Sequence, residues 1–431
     1  MPAPHRSPAP DASLAHRRTD AVLAVRDADG APLAHADVVV EQVRPALALG
    51  NIGFDLVGFA NGEEEADTGS PFGGAAPSRG AHLAELFLGL YDTATLPFYW
   101  GGFEPVRGRP DTARLQRTAR WLADRGVRLK GHPLVWHTLT ADWLRDLPTD
   151  EVEEAQRARI RREVGDFAGL VDAWDAINEV VIMPVFANEE RTNGITRLCR
   201  ERGRIATVRM AFEEARGANP RATLLLNDFD MSTAYECLVE GVLEAGVQVD
   251  ALGLQSHMHQ GYWGEERTLE VLDRFARFGL PIHMTESTLL SGDLMPPEVE
   301  DLNDFRPASW PSTPEGEERQ ADELVRHYRT LASHPAVEAI TYWGLTDEGA
   351  WLGAPVGLVR ADGTTKPSYD ALRDLVRGEW WLPPTTLRTD GEGRVGVAGH
   401  LGDYRLTHRG AGADLALAEA GATTVEVALP R

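Results

Sequence analysis

Apolar and polar residues alternate along this chain with two different periods, and the periods take turns. Short apolar runs that read as buried strands are ALALGNIGF (46–54), ELFLGLYD (85–92), VRLKGHPLVW (127–136), VDAWDAIN (171–178), ATLLLND (222–228), ALGLQSH (251–257), LPIHMTE (280–286) and VEAITYWGL (337–345), eight in all. Between most of them apolar residues recur at helical spacing, as in DTARLQRTARWLADRG, ITRLCRERGRIATVRMAFEEARGANP and RTLEVLDRFARFG. The last two of these segments end in Asn-Pro or Gly stop signals. Eight strand–helix alternations predict an α/β fold, a closed (β/α)8 TIM barrel. An open, doubly wound sheet would compete, but no GxGxxG follows the first strand. No internal repeat of solenoid period occurs.

The two ends of the chain follow a different pattern. AVLAVRDADGAPLAHADVVVEQ places two alternating runs around DADG and predicts a β-hairpin. GRVGVAGHLGDYRLTHRG and TTVEVALP are short β-prone runs with glycine-rich turns. Because lone hairpins are marginal, the terminal segments are expected to form one small β-sandwich-like module. The resulting division is a disordered stretch at 1–19, the hairpin at 20–44, the barrel at 45–382 and the rest of the module at 383–431, with Pro383-Pro384 at the junction. The Pro- and acid-rich stretch 291–320 directly follows Glu286 and reads as a long functional loop.

Composition narrows the partners. A net charge of −23 argues against nucleic acid and against docking on an anionic membrane, and no stretch approaches a membrane span. Cys199 and Cys237 are too few for a disulfide scaffold in a chain of 431 residues and are expected as free thiols. The N-terminal residues contain no apolar core of a signal peptide, so a cytoplasmic location is expected, or a secreted one if a leader has been removed.

Candidate chemistry sits at two strand ends. Glu179 closes VDAWDAINE and Glu286 closes LPIHMTE, where a parallel barrel carries its reactive groups. Two carboxylates facing each other across a sugar cleft are what cleavage of a glycosidic bond requires. His residues at metal-ligand spacing, such as HxxxH, do not occur, so neither a metal nor another cofactor is expected.

The motifs GHPLVWH, WDAINE, LLLND, LGLQSH, MTE and YWGLTDEGAWL stand in an order that resembles glycoside hydrolase family 10, the xylanase-like family. The resemblance implies a (β/α)8 barrel and retaining hydrolysis of a β-linked oligosaccharide or glycoside, with Glu179 as acid/base and Glu286 as nucleophile. His257 is then expected to hydrogen-bond the nucleophile, and Gln255, on the same strand face, to touch the acid/base. Asn178 is expected to hold a sugar hydroxyl, and Asp228 to order the site. His132, Trp136, His137, Trp343, Trp351 and Tyr99 would line the sugar-binding cleft. The bond before Pro133 is expected to be cis.

Four departures from the family bear on substrate. Thr95 and Leu96 replace a Glu-Asn pair and Tyr99 a Lys at the distal glycone subsite, and Thr138-Leu139 replaces Ser-Gln. Phe229 stands for a Tyr, and Thr288 for an Asp near the nucleophile. Loss of sugar-directed hydrogen bonds weakens discrimination for that sugar. The first expectation is an endo-1,4-β-xylanase-like enzyme. The alternatives are an intracellular β-glycosidase or diglycosidase of small plant aryl glycosides, and a non-catalytic carbohydrate-binding protein. Oligomeric state stays open.

Overall fold

The computed structural model describes residues 12–64, 75–187 and 193–430. Two strands, β1 (Arg18–Arg26) and β2 (Asp37–Pro45), come first. Eight follow in alternation with helices: β3 (Ala48–Ile52), β4 (Thr93–Pro97), β5 (Arg128–His132), β6 (Ala173–Asn178), β7 (Thr223–Asp228), β8 (Ala251–Met258), β9 (Ile282–Leu289) and β10 (Val337–Tyr342). Five more end the chain: β11 (Thr385–Arg388), β12 (Arg394–His400), β13 (Gly402–His408), β14 (Ala411–Leu417) and β15 (Gly421–Ala428).

Strands β3 to β10 close into one barrel in the order β10-β3-β4-β5-β6-β7-β8-β9, paired in parallel from β3 round to β10. This is the (β/α)8 barrel that the alternation predicts. Helices cover its outside and side chains fill its inside, so β6 and β7 are buried along nearly their whole length. The packing is tight where strands meet. Gly131 of β5 leaves room for the Trp174 ring of β6, and a Cβ there would lie 2.2 Å from the indole.

Sequence and structure differ at several places. ELFLGLYD does not form a strand: Gly80–Leu90 is a helix that buries Leu83, Ala84, Phe87 and Leu90, and the second barrel strand is TATLP, immediately after it. A short apolar run fits a buried helix face as well as a strand. The long helical pattern after Asn193 is two helices, Gly194–Arg202 and Arg204–Ala218, broken at Gly203, whose φ of +86° lies outside the helical region. Part of the long loop after Glu286 is helical, since Pro314–Ser333 is a helix. Finally, β1 and β2 do not pair with each other as a hairpin.

Instead they enter opposite sheets of a sandwich. The order is β12-β1-β15 in one sheet and β11-β2-β13-β14 in the other. β1 runs antiparallel to β12 and parallel to β15, with Thr19 opposite Gly421 and Arg26 opposite Ala428. Inward-facing Leu23 and Val25 of β1 meet Val38 and Val40 of β2, Tyr404 and Leu406 of β13 and Leu417 of β14 in one buried cluster. The period-two alternation of β1 and β2 is thus satisfied across the sandwich rather than within a hairpin. This second compact unit takes the chain up to Ala48, Arg329–Pro335 and everything from Arg373 onward, ahead of the Pro383-Pro384 pair. Residues 12–19, expected to be disordered, form a short 3-10 turn and the start of β1. The expectation for 1–11 lies outside the described residues.

Cys199 is buried and Cys237 exposed, both as free thiols. No described helix is long and apolar enough to cross a membrane.

Candidate active site

The C-terminal mouth of the barrel gathers the carboxylates. Chain direction changes sharply after β6, where Glu179 adopts a φ of +57°, a left-handed conformation that is strained for a residue with a side chain. Its amide donates to the Asn227 carbonyl at 2.8 Å, which anchors the turn to β7. The Glu179 carboxylate accepts from Trp136 Nε1 at 2.7 Å, Asn178 Nδ2 at 3.1 Å and Gln255 Nε2 at 3.3 Å. Burial pushes its pKa up to about 8, with the negative charge of Glu286 adding to the shift and the Trp136 hydrogen bond opposing it. Glu179 therefore holds a proton at neutral pH.

Glu286 lies inside β9, beside Gln255 in the strand register. It accepts from Asn227 Nδ2 at 3.0 Å and pairs with His257 Nε2 at 3.2 Å. The other His257 nitrogen, Nδ1, faces the Thr288 hydroxyl at 3.4 Å. Asn227 also donates to Asn178 Oδ1 at 2.7 Å, and Gln255 to the same oxygen at 3.0 Å. One amide relay thus joins the partners of both glutamates. Thr285 Oγ1, donating to Asn227 Oδ1 at 2.6 Å, fixes the orientation of that relay.

Aromatic rings wall the mouth. His132 ends β5 with Nδ1 2.7 Å from Asp175 Oδ2 and 3.8 Å from Glu286 Oε1. Burial would raise the Asp175 carboxyl, yet Lys130, 2.8 Å away, and His132 hold it below the ordinary carboxylate range. The His132–Pro133 bond is cis. The His132 ring meets Trp343 edge-on at 5.0 Å and Tyr99 at 5.6 Å, and Tyr99 tilts against Trp136 at 5.6 Å. Trp351 reaches over from the loop after β10 to His257, at 5.1 Å between centroids. His137 lies 3.9 Å from Glu179 with its pKa lowered by burial to about 3, so the ring is neutral.

Glu179, Glu286, His257, Gln255, His132, Trp136, His137, Tyr99, Trp343 and Trp351 all come together at this mouth. Asn178 and the β4 residues sit differently from what the sequence suggests. Asn178 is 1% exposed and turns its amide to Glu179, Asn227 and Gln255 rather than to open space for a sugar hydroxyl. Thr95 and Leu96 are wholly buried inside β4, so the residues that leave this strand at the mouth are Phe98 and Tyr99. Asp228 accepts from the Val181 amide at 3.0 Å and ties down the turn after Glu179, with burial raising its pKa to about 7. Asn227 joins the site although nothing in LLLND marks it beside Asp228. Its signal is positional, since it lies opposite Asn178 in the β6–β7 register.

Replacing Trp136 by Phe removes the indole donor to Glu179 while keeping a ring. Hydrogen bonds to charged groups contribute about 1.5–3 kcal/mol, so the alkaline limb of the rate profile should move upward by about one to two pH units. A pH–rate profile measured on the variant checks this, and an unmoved limb would separate the indole from Glu179's titration.

A parallel barrel whose mouth holds two glutamates in a single amide relay, walled by indole and imidazole rings, is the framework of a glycoside hydrolase. The chain belongs to Glycosyl hydrolase family 10, whose model matches residues 98–375. It is similar to an endo-1,4-beta-xylanase/feruloyl esterase of Xylanibacter ruminicola, at 26% identity over 61% of this chain and 39% of that protein, well under half its length. It is also similar to endo-1,4-beta-xylanase B of Thermotoga neapolitana, at 26% identity over 64% of this chain and 78% of that enzyme. Among solved structures, xylanase 10B of Thermotoga petrophila in complex with xylobiose superposes with a TM-score of 0.60 at 20% identity, covering 77% of this chain and 94% of that one. That likeness concerns the fold.

Proposed function

We propose that the protein is a retaining β-glycoside hydrolase of xylan-related β-1,4-linked chains, with Glu179 as general acid/base and Glu286 as nucleophile. The observation that carries this reading is the unequal setting of the two carboxyls. Glu179 packs against an indole, and desolvation keeps its proton on to about pH 8, as a group that must protonate a leaving oxygen needs. Glu286 is oriented by Asn227 and His257 toward the same mouth, as an attacking carboxylate must be.

In the first step Glu286 attacks the anomeric carbon, the glycosidic bond breaks, and Glu179 gives its proton to the departing oxygen. The resulting ester carries no charge on Glu286. Since that charge helps raise the Glu179 pKa, its loss makes Glu179 a better anion at the moment it must take a proton from water. Water then adds its hydroxyl to the anomeric carbon and frees Glu286. Support for the substrate class comes from relatives that carry xylanase names.

Proton NMR during the first minutes of xylotriose hydrolysis tests the mechanism. The β anomer should appear first, with the α anomer rising later by mutarotation. Initial release of the α anomer would remove Glu286 from the nucleophile's role.

A further inference from the structure

Four rings stand around one arc of the mouth in a closed circuit: Phe54 to Tyr99 at 5.9 Å, Tyr99 to His132 at 5.6 Å, His132 to Trp343 at 5.0 Å and Trp343 back to Phe54 at 5.7 Å. Each is at most 6% exposed. They come from the ends of β10, β3, β4 and β5, four neighbouring strands that fill the whole arc from Glu286 on β9 to Glu179 on β6. A pyranose held between two side chains needs a van der Waals contact of about 3.5–4 Å on each face, hence about 7–8 Å between them. These rings meet edge-on, with interplanar angles of 73–86°, and among the described residues leave no such slot between them. The cavity lined by Ile52, Asp55, Trp343, Thr346 and Trp351 measures about 10 Å³, room for one water and not for a sugar.

The opposite arc carries exposed apolar side chains. Val185, after Glu179, and Phe229, after β7, are 65% and 44% exposed, and the Asp228–Val181 hydrogen bond joins their two loops. Because Glu179 delivers its proton to the leaving oxygen, the departing part of the substrate lies along these loops. The sugar bonded to Glu286 lies against the rings.

We infer that the aromatic wall ends the cleft one sugar beyond the scissile bond, so the enzyme removes single residues from the non-reducing end of β-linked oligosaccharides or glycosides rather than cutting inside a chain. Water's hydroxyl goes to the released monosaccharide, and its hydrogen to the shortened chain. This inference rests on the assignment of Glu179 and Glu286 given above.

Xylohexaose and cellohexaose carrying a fluorophore at the reducing end, digested to low conversion by the full-length protein, distinguish the possibilities. The expected result is labelled product shortened one sugar at a time, with free monosaccharide as the first unlabelled product. Unlabelled disaccharide or trisaccharide as the first product would overturn the inference and leave the hydrolase reading standing. Inactivity on both series and on nitrophenyl β-xyloside and β-glucoside would overturn the hydrolase reading, and the inference with it. Opening the wall by Tyr99→Gly should raise the ratio of unlabelled disaccharide to monosaccharide about tenfold or more, the scale on which pocket shape alone discriminates substrates. An unchanged ratio in a variant with wild-type circular dichroism and melting would also overturn it.

Discussion

Glu286→Ala is expected to lower kcat by about four to six orders of magnitude, the range seen when a covalent nucleophile is removed from a hydrolase. The fold should tolerate the change, because Asn227 and His257 each lose one acceptor at a mouth open to water. Added azide should restore part of the turnover on a nitrophenyl glycoside. It enters from the side vacated by the carboxylate, in a single displacement, so the product should be the α-glycosyl azide. Mass spectrometry and NMR of that product check the assignment. Residual activity within a hundredfold of wild type, or a β-glycosyl azide, would assign the nucleophile elsewhere.

Glu179→Ala should behave differently, and the difference depends on the leaving group. Substrates that depart as poor leaving groups need the proton, and their kcat/KM should fall by about two to four orders of magnitude. Nitrophenolate leaves without help, so formation of the glycosyl-enzyme from a nitrophenyl glycoside should survive and its breakdown should become limiting. Azide then attacks the ester directly and yields the β-glycosyl azide, the opposite configuration to that from Glu286→Ala. The rate profile supplies a second readout. In the wild type, activity should decline as pH rises through about 8, because Glu179 is active in its protonated form and burial, reinforced by Glu286, has raised its pKa to that value. In the alanine variant that limb should vanish for the first step. An identical limb in both proteins would mean that some other group titrates there.

Much of the barrel was legible because its strands are buried on both faces and announce themselves as apolar runs. The two glutamates at the mouth were legible for a related reason: a charge terminating such a run is costly to place anywhere but a barrel mouth. The second strand lies elsewhere because Leu86, Phe87, Leu88 and Leu90 give a run whose length and composition suit either period. Asn227 could not be seen, since its function depends on lying level with Asn178 in the neighbouring strand, and parallel register is set by packing rather than by local spacing. Similarly, nothing local distinguishes a hairpin from two strands that part company. DADG makes a turn either way, with Asp27 accepting from the Asp29 and Ala31 amides. The partners that decide the matter lie hundreds of residues downstream.

That distance matters for biogenesis. β1 is flanked by β12, from Arg18 opposite His400 to Ala24 opposite Arg394, and by β15, from Thr19 opposite Gly421 to Arg26 opposite Ala428. During synthesis the first strand leaves the ribosome long before either neighbour exists, with unpaired amides on both edges and an apolar face uncovered. Closing so long a loop is slow compared with local folding, and a nascent chain in that condition is a candidate for chaperone capture.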